Sequence, residues 1–246
     1  MNFQMQKTLR LFLVMSSAFL LFACSSDSNP PPAPPPPPPP AIASFEVTVF
    51  NLTNAQPLSP AAVIAHQDGY VLFSVGAPVS VGFEDMAEGG DNTALLAEAD
   101  ADSVVMVTES GAAPIGPAGS ETVTVTMLES ELPGLRISVG TMLVNTNDAF
   151  TGLNAMSVES MAVGDVITVL GVAYDAGTEA DTESAATIPG PAGGGEGFNA
   201  ARDDQADRVS MHSGVVSQDD GFATSDLSEQ HRFDNPVVQI SIERTD

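Results

Sequence analysis

The chain has 246 residues, of which 32 are aspartate or glutamate and only seven lysine or arginine, giving a formal charge of −25. That balance excludes docking on nucleic acid or on an anionic membrane surface through the folded part, because both would repel it. One cysteine excludes a disulfide framework within the monomer, and the roughly 200 residues after the proline-rich stretch are enough for one sizeable domain with a single core.

Residues 1–23 begin with the basic Lys7 and Arg10, run apolar over 11–22 and reach a small residue at Ala23, immediately before Cys24. The apolar core falls short of the ~20 residues a membrane-spanning helix needs, so it reads as an export signal. Leu21-Phe22-Ala23-Cys24 resembles a bacterial lipobox. The resemblance implies cleavage before Cys24, thioether lipidation of that residue and anchorage in the lipid bilayer by several acyl chains, since one chain binds only marginally. The alternative is an ordinary signal that leaves Cys24 a free thiol. Ser25, in place of Asp after the cysteine, points by the same analogy to the outer membrane of a bacterial cell envelope, facing the periplasm or the outside. Loss of Lys7 and Arg10 leaves five arginines against 32 acids, a net charge of −27.

Residues 24–43 carry ten prolines between Pro30 and Pro40. Proline has no backbone donor and favours the polyproline II helix, so a semi-rigid spacer of about 3 Å per residue is expected here.

One domain is expected over residues 44–246. Residues 45–50, 70–75, 104–108, 122–127, 135–144, 166–173, 208–212 and 237–243 are short runs bounded by turn formers, and alternation is cleanest over 122–127. Residues 82–87 and 92–99 read as helical, the second with Asp91 as N-cap. Antiparallel strands without regular intervening helices predict an all-β fold, a two-sheet antiparallel β-sandwich of about eight strands with short helical insertions.

Asn147 and Asp148 form one polar cluster, and residues 175–183 form a second at the exit of the expected strand 166–173. A fold that returns Asp148 to that end would converge several carboxylates, the donor set of a calcium ion with its roughly 6 to 8 oxygen ligands. The other reading is a solvated acidic loop, since acids are abundant along the chain. Asp175 and Glu179 flank Ala176-Gly177-Thr178, a turn in which glycine can adopt backbone conformations that let both acids face one point. Oxygen-only donors favour calcium or magnesium over zinc, and a flexible loop favours calcium of the two. Asn147, Asp181 and Glu196 are further candidate ligands.

Thr146-Asn147-Asp148-Ala149-Phe150 with Gly152-Leu153, and Tyr174-Asp175-Ala176-Gly177-Thr178-Glu179, resemble the two signature segments of the spondin N-terminal domain in its bacterial form. Leu58-Ser59-Pro60, His66, residues 70–76 and residues 83–91 resemble that family's opening third, so the likeness spans about residues 44–244. Phe150 replaces the tryptophan of the animal domains, and their cysteines are absent. The resemblance implies a sandwich with one calcium ion at one end, ligated by Asp148, Asp175 and Glu179, and contacts with extracellular matrix, polysaccharide or another protein.

Residues 187–198 hold two prolines and five glycines and cannot form a regular element. They read as a surface connection, or as a flexible loop that brings Glu196 to the metal end. His66 and His212 are the remaining candidates for chemistry, although lone histidines near strand ends are commonly structural. The chain has no nucleophile elbow, no phosphate-cradling glycine loop, no zinc-type histidine pair and no usable cysteine nucleophile. A Ser/His/Asp arrangement is recognisable only in three dimensions. The reading is therefore a calcium-binding adhesion or binding module for an envelope or extracellular protein or polysaccharide. The alternatives are an envelope hydrolase using His66 or His212 with an acid, and a structural spacer.

Overall fold

The computed structural model describes residues 34–203 and 206–246; the expected export signal, Cys24 and the start of the proline run lie outside them. Residues 34–38 are exposed without regular secondary structure, and a compact unit runs from Pro39 to Asp246.

Alternation builds the first sheet. β1 (Ile42–Asn51), β4 (Ser120–Leu128), β7 (Val166–Gly171) and β10 (Val238–Arg244) pair antiparallel in the order β4-β1-β10-β7. Phe45, Val47 and Val49 of β1, Val123, Val125 and Met127 of β4, and Val238, Ile240 and Ile242 of β10 point to one buried face, whereas Glu46, Thr122 and Thr124 face solvent. Hydroxyl pairs lace β1 to β4, Thr48 with Thr122 at 2.8 Å and Ser44 with Thr126 at 3.0 Å.

The second sheet contains β2 (Ala62–His66), β3 (Val105–Ser110), β5 (Arg136–Met142), β6 (Ala149–Ser157), β8 (Ala173–Asp175) and β9 (Ser210–Met211), all antiparallel in the order β3-β2-β5-β6-β8-β9. One face meets the first sheet in a core that includes Phe45, Val125, Ile137, Leu153 and Ile240. The other face is covered by α1 (Val81–Gly89) and α2 (Thr93–Asp100), which pack Phe83, Met86 and Leu95 on Ile64 and Phe150. Ser80 starts α1 by accepting the Phe83 N–H at 3.2 Å, and Gly90 ends it in the left-handed conformation. At α2 the N-cap position is Asn92 and not Asp91, although Asp91 supplies the bond, its Oδ1 accepting from Thr93 N at 2.9 Å.

The all-β sandwich stands, with ten strands among the described residues in place of about eight. β2 and β6 were not expected. Residues 70–75, expected as a strand, are a loop instead. Tyr70, Leu72 and Phe73 turn into the helix-side core, and Asn154 holds the backbone, accepting from Leu72 N at 3.1 Å and donating to Phe73 O at 2.6 Å. The run 166–173 is two strands: the chain leaves the first sheet after β7 and enters the second as β8, with Val172 between them. Among the described residues no helix is long and apolar enough to cross a membrane.

Candidate metal centre

The sheet switch at Val172 brings the two acidic clusters together. Ala149, the first residue of β6, pairs with Asp175, the last of β8, so Asp148 and Ala176 lie just beyond the end of the ladder. The chain then folds back over Asp148. Gly177 N donates to Asp175 Oδ1 at 2.7 Å, and Thr178 N and Glu179 N donate to Asp148 Oδ2 at 2.8 and 3.1 Å.

Gly177 makes this turn possible, with φ of 72° and backbone so close that an added Cβ would stand 2.4 Å from Arg208 O. Gly177→Ala is therefore expected to cost about 2 kcal/mol or more, through left-handed strain and the backbone clash. Urea unfolding checks this; a loss under ~0.5 kcal/mol would mean that the turn relaxes freely.

Asp148 thus spends one oxygen on the turn. Its other oxygen, Oδ1, is buried and has no hydrogen-bond partner. Asp148, Asp175 and Asp181 each bring one carboxylate oxygen to within 4.8 Å of the others, a group that can hold a metal ion. Asp148 is fully buried, Asp175 half-buried, and Asp181 sits at the exposed rim. Burial first, and the Asp175 charge second, push the Asp148 carboxyl up to about 7 against the pull of the Thr178 and Glu179 N–H groups. His212 Nε2 lies 3.5 Å from Asp181 Oδ1, while Gly214 N donates to Nδ1 at 2.9 Å, so the ring proton sits on Nε2 facing Asp181. Burial pulls this imidazole down, but the Asp181 contact and the Asp175 and Asp148 charges outweigh it and hold His212 above its ordinary value. It orients Asp181.

Asp148 and Asp175 converge as expected. The third member of the group is Asp181, a further candidate, and not Glu179. The Glu179 carboxyl has Glu88, Asp148 and Asp203 as charged neighbours; burial, chiefly, raises it to about 8 against the opposing pull of the Asn147 amide. Its Oε2 is buried without a partner. Asn147 is engaged at both ends, Oδ1 accepting from Glu183 N at 3.1 Å and Nδ2 donating to Thr187 Oγ1 at 2.8 Å. Glu196 is exposed and stands outside the group. Glu183 clamps the following loops, accepting from Val216 N at 2.6 Å and Ser225 Oγ at 2.8 Å.

His66 is remote in function from this cluster. Its Nε2 lies 2.9 Å from Ser138 Oγ and its Nδ1 2.8 Å from Gln67 O, an arrangement reminiscent of a catalytic pair, but His66 and Ser138 are both 0% exposed. No substrate reaches them.

A supporting layer was not foreseen. Glu84 and Glu88, one turn apart on the buried face of α1, anchor residues 199–202: Arg202 Nε reaches Glu84 Oε2 at 2.7 Å and Asn199 N donates to Glu88 Oε2 at 2.9 Å. Asp203 closes the connection, donating from N to Thr178 O at 3.2 Å and accepting from Ala180 N at 2.9 Å. Two acids at helical spacing among Phe83, Met86 and Ala87 were the available signal, because carboxylates on an apolar stripe require partners. No protein-family model matches the chain, and no curated protein matches it.

Proposed function

We propose that the domain is a calcium-stabilised binding module of a bacterial envelope lipoprotein. One observation carries the metal reading: a solvent-free carboxylate, Asp148, keeps an oxygen that no donor serves, within a group of three carboxylates. Three such charges repel one another unless protons or a cation neutralise them. The oxygen donors suit a hard cation, and their placement around an irregular loop suits calcium better than the strict octahedron of magnesium.

The resemblance to spondin N-terminal domains supports the same two aspartates, Asp148 and Asp175, as ligands. Asp181 is the third ligand here, with Glu179 behind it. The same resemblance supports a protein or polysaccharide of the envelope or extracellular space as partner, with Cys24 as the lipid anchor. The charge of the chain argues against nucleic acid. Inaccessible His66 and the structural bonding of His212 favour binding over hydrolysis.

Thermal melting of the full chain in chelator, calcium and magnesium tests the reading. Calcium should raise the melting temperature, and more than magnesium at equal concentration. Asp181→Asn should weaken calcium binding about tenfold or more and Glu179→Gln by less than about threefold. The reverse order would make Glu179 the third ligand, and no shift with either cation would defeat the proposal.

A further inference from the structure

The first sheet ends in β7, which pairs with β10 on one side and with no strand of the described residues on the other. Exposed edges are ordinarily guarded by charge, proline or a bulge, because their open N–H and C=O groups template further pairing. β7 reads Val-Ile-Thr-Val-Leu-Gly and has none of these guards. The other edges differ. β4 carries Glu121 and lies beside β3 at its rim, β3 carries Glu109, and β9 is only two residues long. Val166 and Leu170 are 55% and 58% exposed, and Val163 just upstream 62%. A groove of about 560 Å³ follows the open edge, between Leu170 and Gly171 on one side and Phe73, Leu153 and Tyr174 on the other.

Which groups face the open edge follows from the ladder. In an antiparallel pair, alternate residues direct both main-chain groups to the same neighbour. Arg244 N donates to Asp165 O, so 165, 167 and 169 serve β10 and Val166, Thr168 and Leu170 offer their N–H and C=O outward. The strand is also self-complementary. Its hydropathy pattern is symmetric about Thr168, two aliphatic residues on either side. In an antiparallel pairing centred there, Val166 meets Leu170 of the second copy, Leu170 meets Val166, and Thr168 meets its own equivalent. Asp165 then faces Gly171 of the second copy, so no like charges oppose each other.

We propose that β7 pairs with β7 of a second copy of this chain, about a two-fold axis at Thr168, and joins the two four-stranded sheets into one. Such an interface is isologous and closes on itself, as a symmetric dimer requires. It covers the exposed aliphatic pair reciprocally. Because each chain is strongly acidic, association tightens as salt screens the repulsion between copies.

Thr168→Cys, placed in an otherwise full chain carrying Cys24→Ser, tests the register. The two introduced thiols would sit on Cα atoms about 5.5 Å apart, within disulfide reach. Oxidation is expected to link most chains in pairs, whereas Thr122→Cys on the opposite edge strand should leave them single. Sedimentation of the full chain in detergent should give a concentration-dependent dimer that strengthens with salt. Leu170→Lys, at an exposed position that leaves the melting temperature nearly unchanged, should weaken that dimer about tenfold or more. A monomer at every concentration and salt, or equal cross-linking from both introduced cysteines, would overturn the proposal.

Discussion

Stripped of divalent cations, the protein is expected to lose stability as pH rises from about 4 to about 8, by on the order of 4 kcal/mol from Asp148 alone. The sign follows from the direction of the shift. Asp148 in the folded state titrates near about 7, far above its value of 3.8 in an unfolded chain. Between those values the folded state holds a proton that the unfolded state has released, so the stabilisation is complete below the unfolded value and is lost as pH climbs through the folded one. Glu179, raised to about 8 chiefly by burial, extends the loss to higher pH, and His212 adds to it in the same sense. Asp91 and Asp220, held below the ordinary carboxylate range by hydrogen bonds from Thr93 and Ser217, act oppositely and only in more acidic solution.

A bound cation takes over the neutralising role of the protons and favours the ionised ligands, so saturating calcium should remove most of the loss above about pH 7. Urea unfolding across the pH range, in chelator and in calcium, measures both curves. Stability that rises with pH in chelator would show that the carboxylates are compensated by other means.

The second large effect is expected at Arg202. Its guanidinium bonds to Glu84, which is 2% exposed, and also reaches Asp207 Oδ1 at 2.8 Å and Val79 O at 2.9 Å. Removing one member of a buried ion pair leaves the other charge without water or a counterion, which costs about 3 kcal/mol or more. Arg202→Met should therefore destabilise the fold by about that amount, and adding Glu84→Gln should recover a good part by removing the stranded charge. Because residues 199–203 tie α1 to the Thr178 turn, Arg202→Met should also weaken metal binding without touching a ligand. A loss below ~1 kcal/mol, or no recovery in the double variant, would assign Glu84 another partner.

The first sheet was legible because one of its faces is open to water. Each of β1, β4 and β10 then alternates, and alternation is visible in a sequence. β2 was not, since the helices and the other sheet cover both its faces and all five of its residues are buried. Residues 70–75 have the composition of a strand, yet a side chain, Asn154, holds their backbone in place of a ladder. The break at Val172 was hidden because the residues on both sides are equally apolar, although the break is what delivers Asp175 beside Asp148. At the site, the turn over Ala176-Gly177-Thr178 marked Asp175 together with Glu179, and Asp148 came from the polar cluster after residues 135–144 and from the spondin likeness. The choice between Glu179 and Asp181 was out of reach, because an irregular loop has no period from which to read the direction of a side chain. The anchoring carboxylates Glu84 and Glu88 could have been found from their place on an apolar helix stripe.

Calorimetric titration of calcium into the metal-free full chain, side by side with Asp148→Asn, tests the proposed centre most directly. Asparagine keeps the size of the side chain and an oxygen to accept from Thr178 and Glu179 N–H, so the variant should fold, while it removes the buried charge from the ligand group. One calcium ion per native chain and no detectable binding by a folded Asp148→Asn are expected. No calcium binding by the native chain, or equal affinity in both proteins, would contradict a metal centre at Asp148, Asp175 and Asp181.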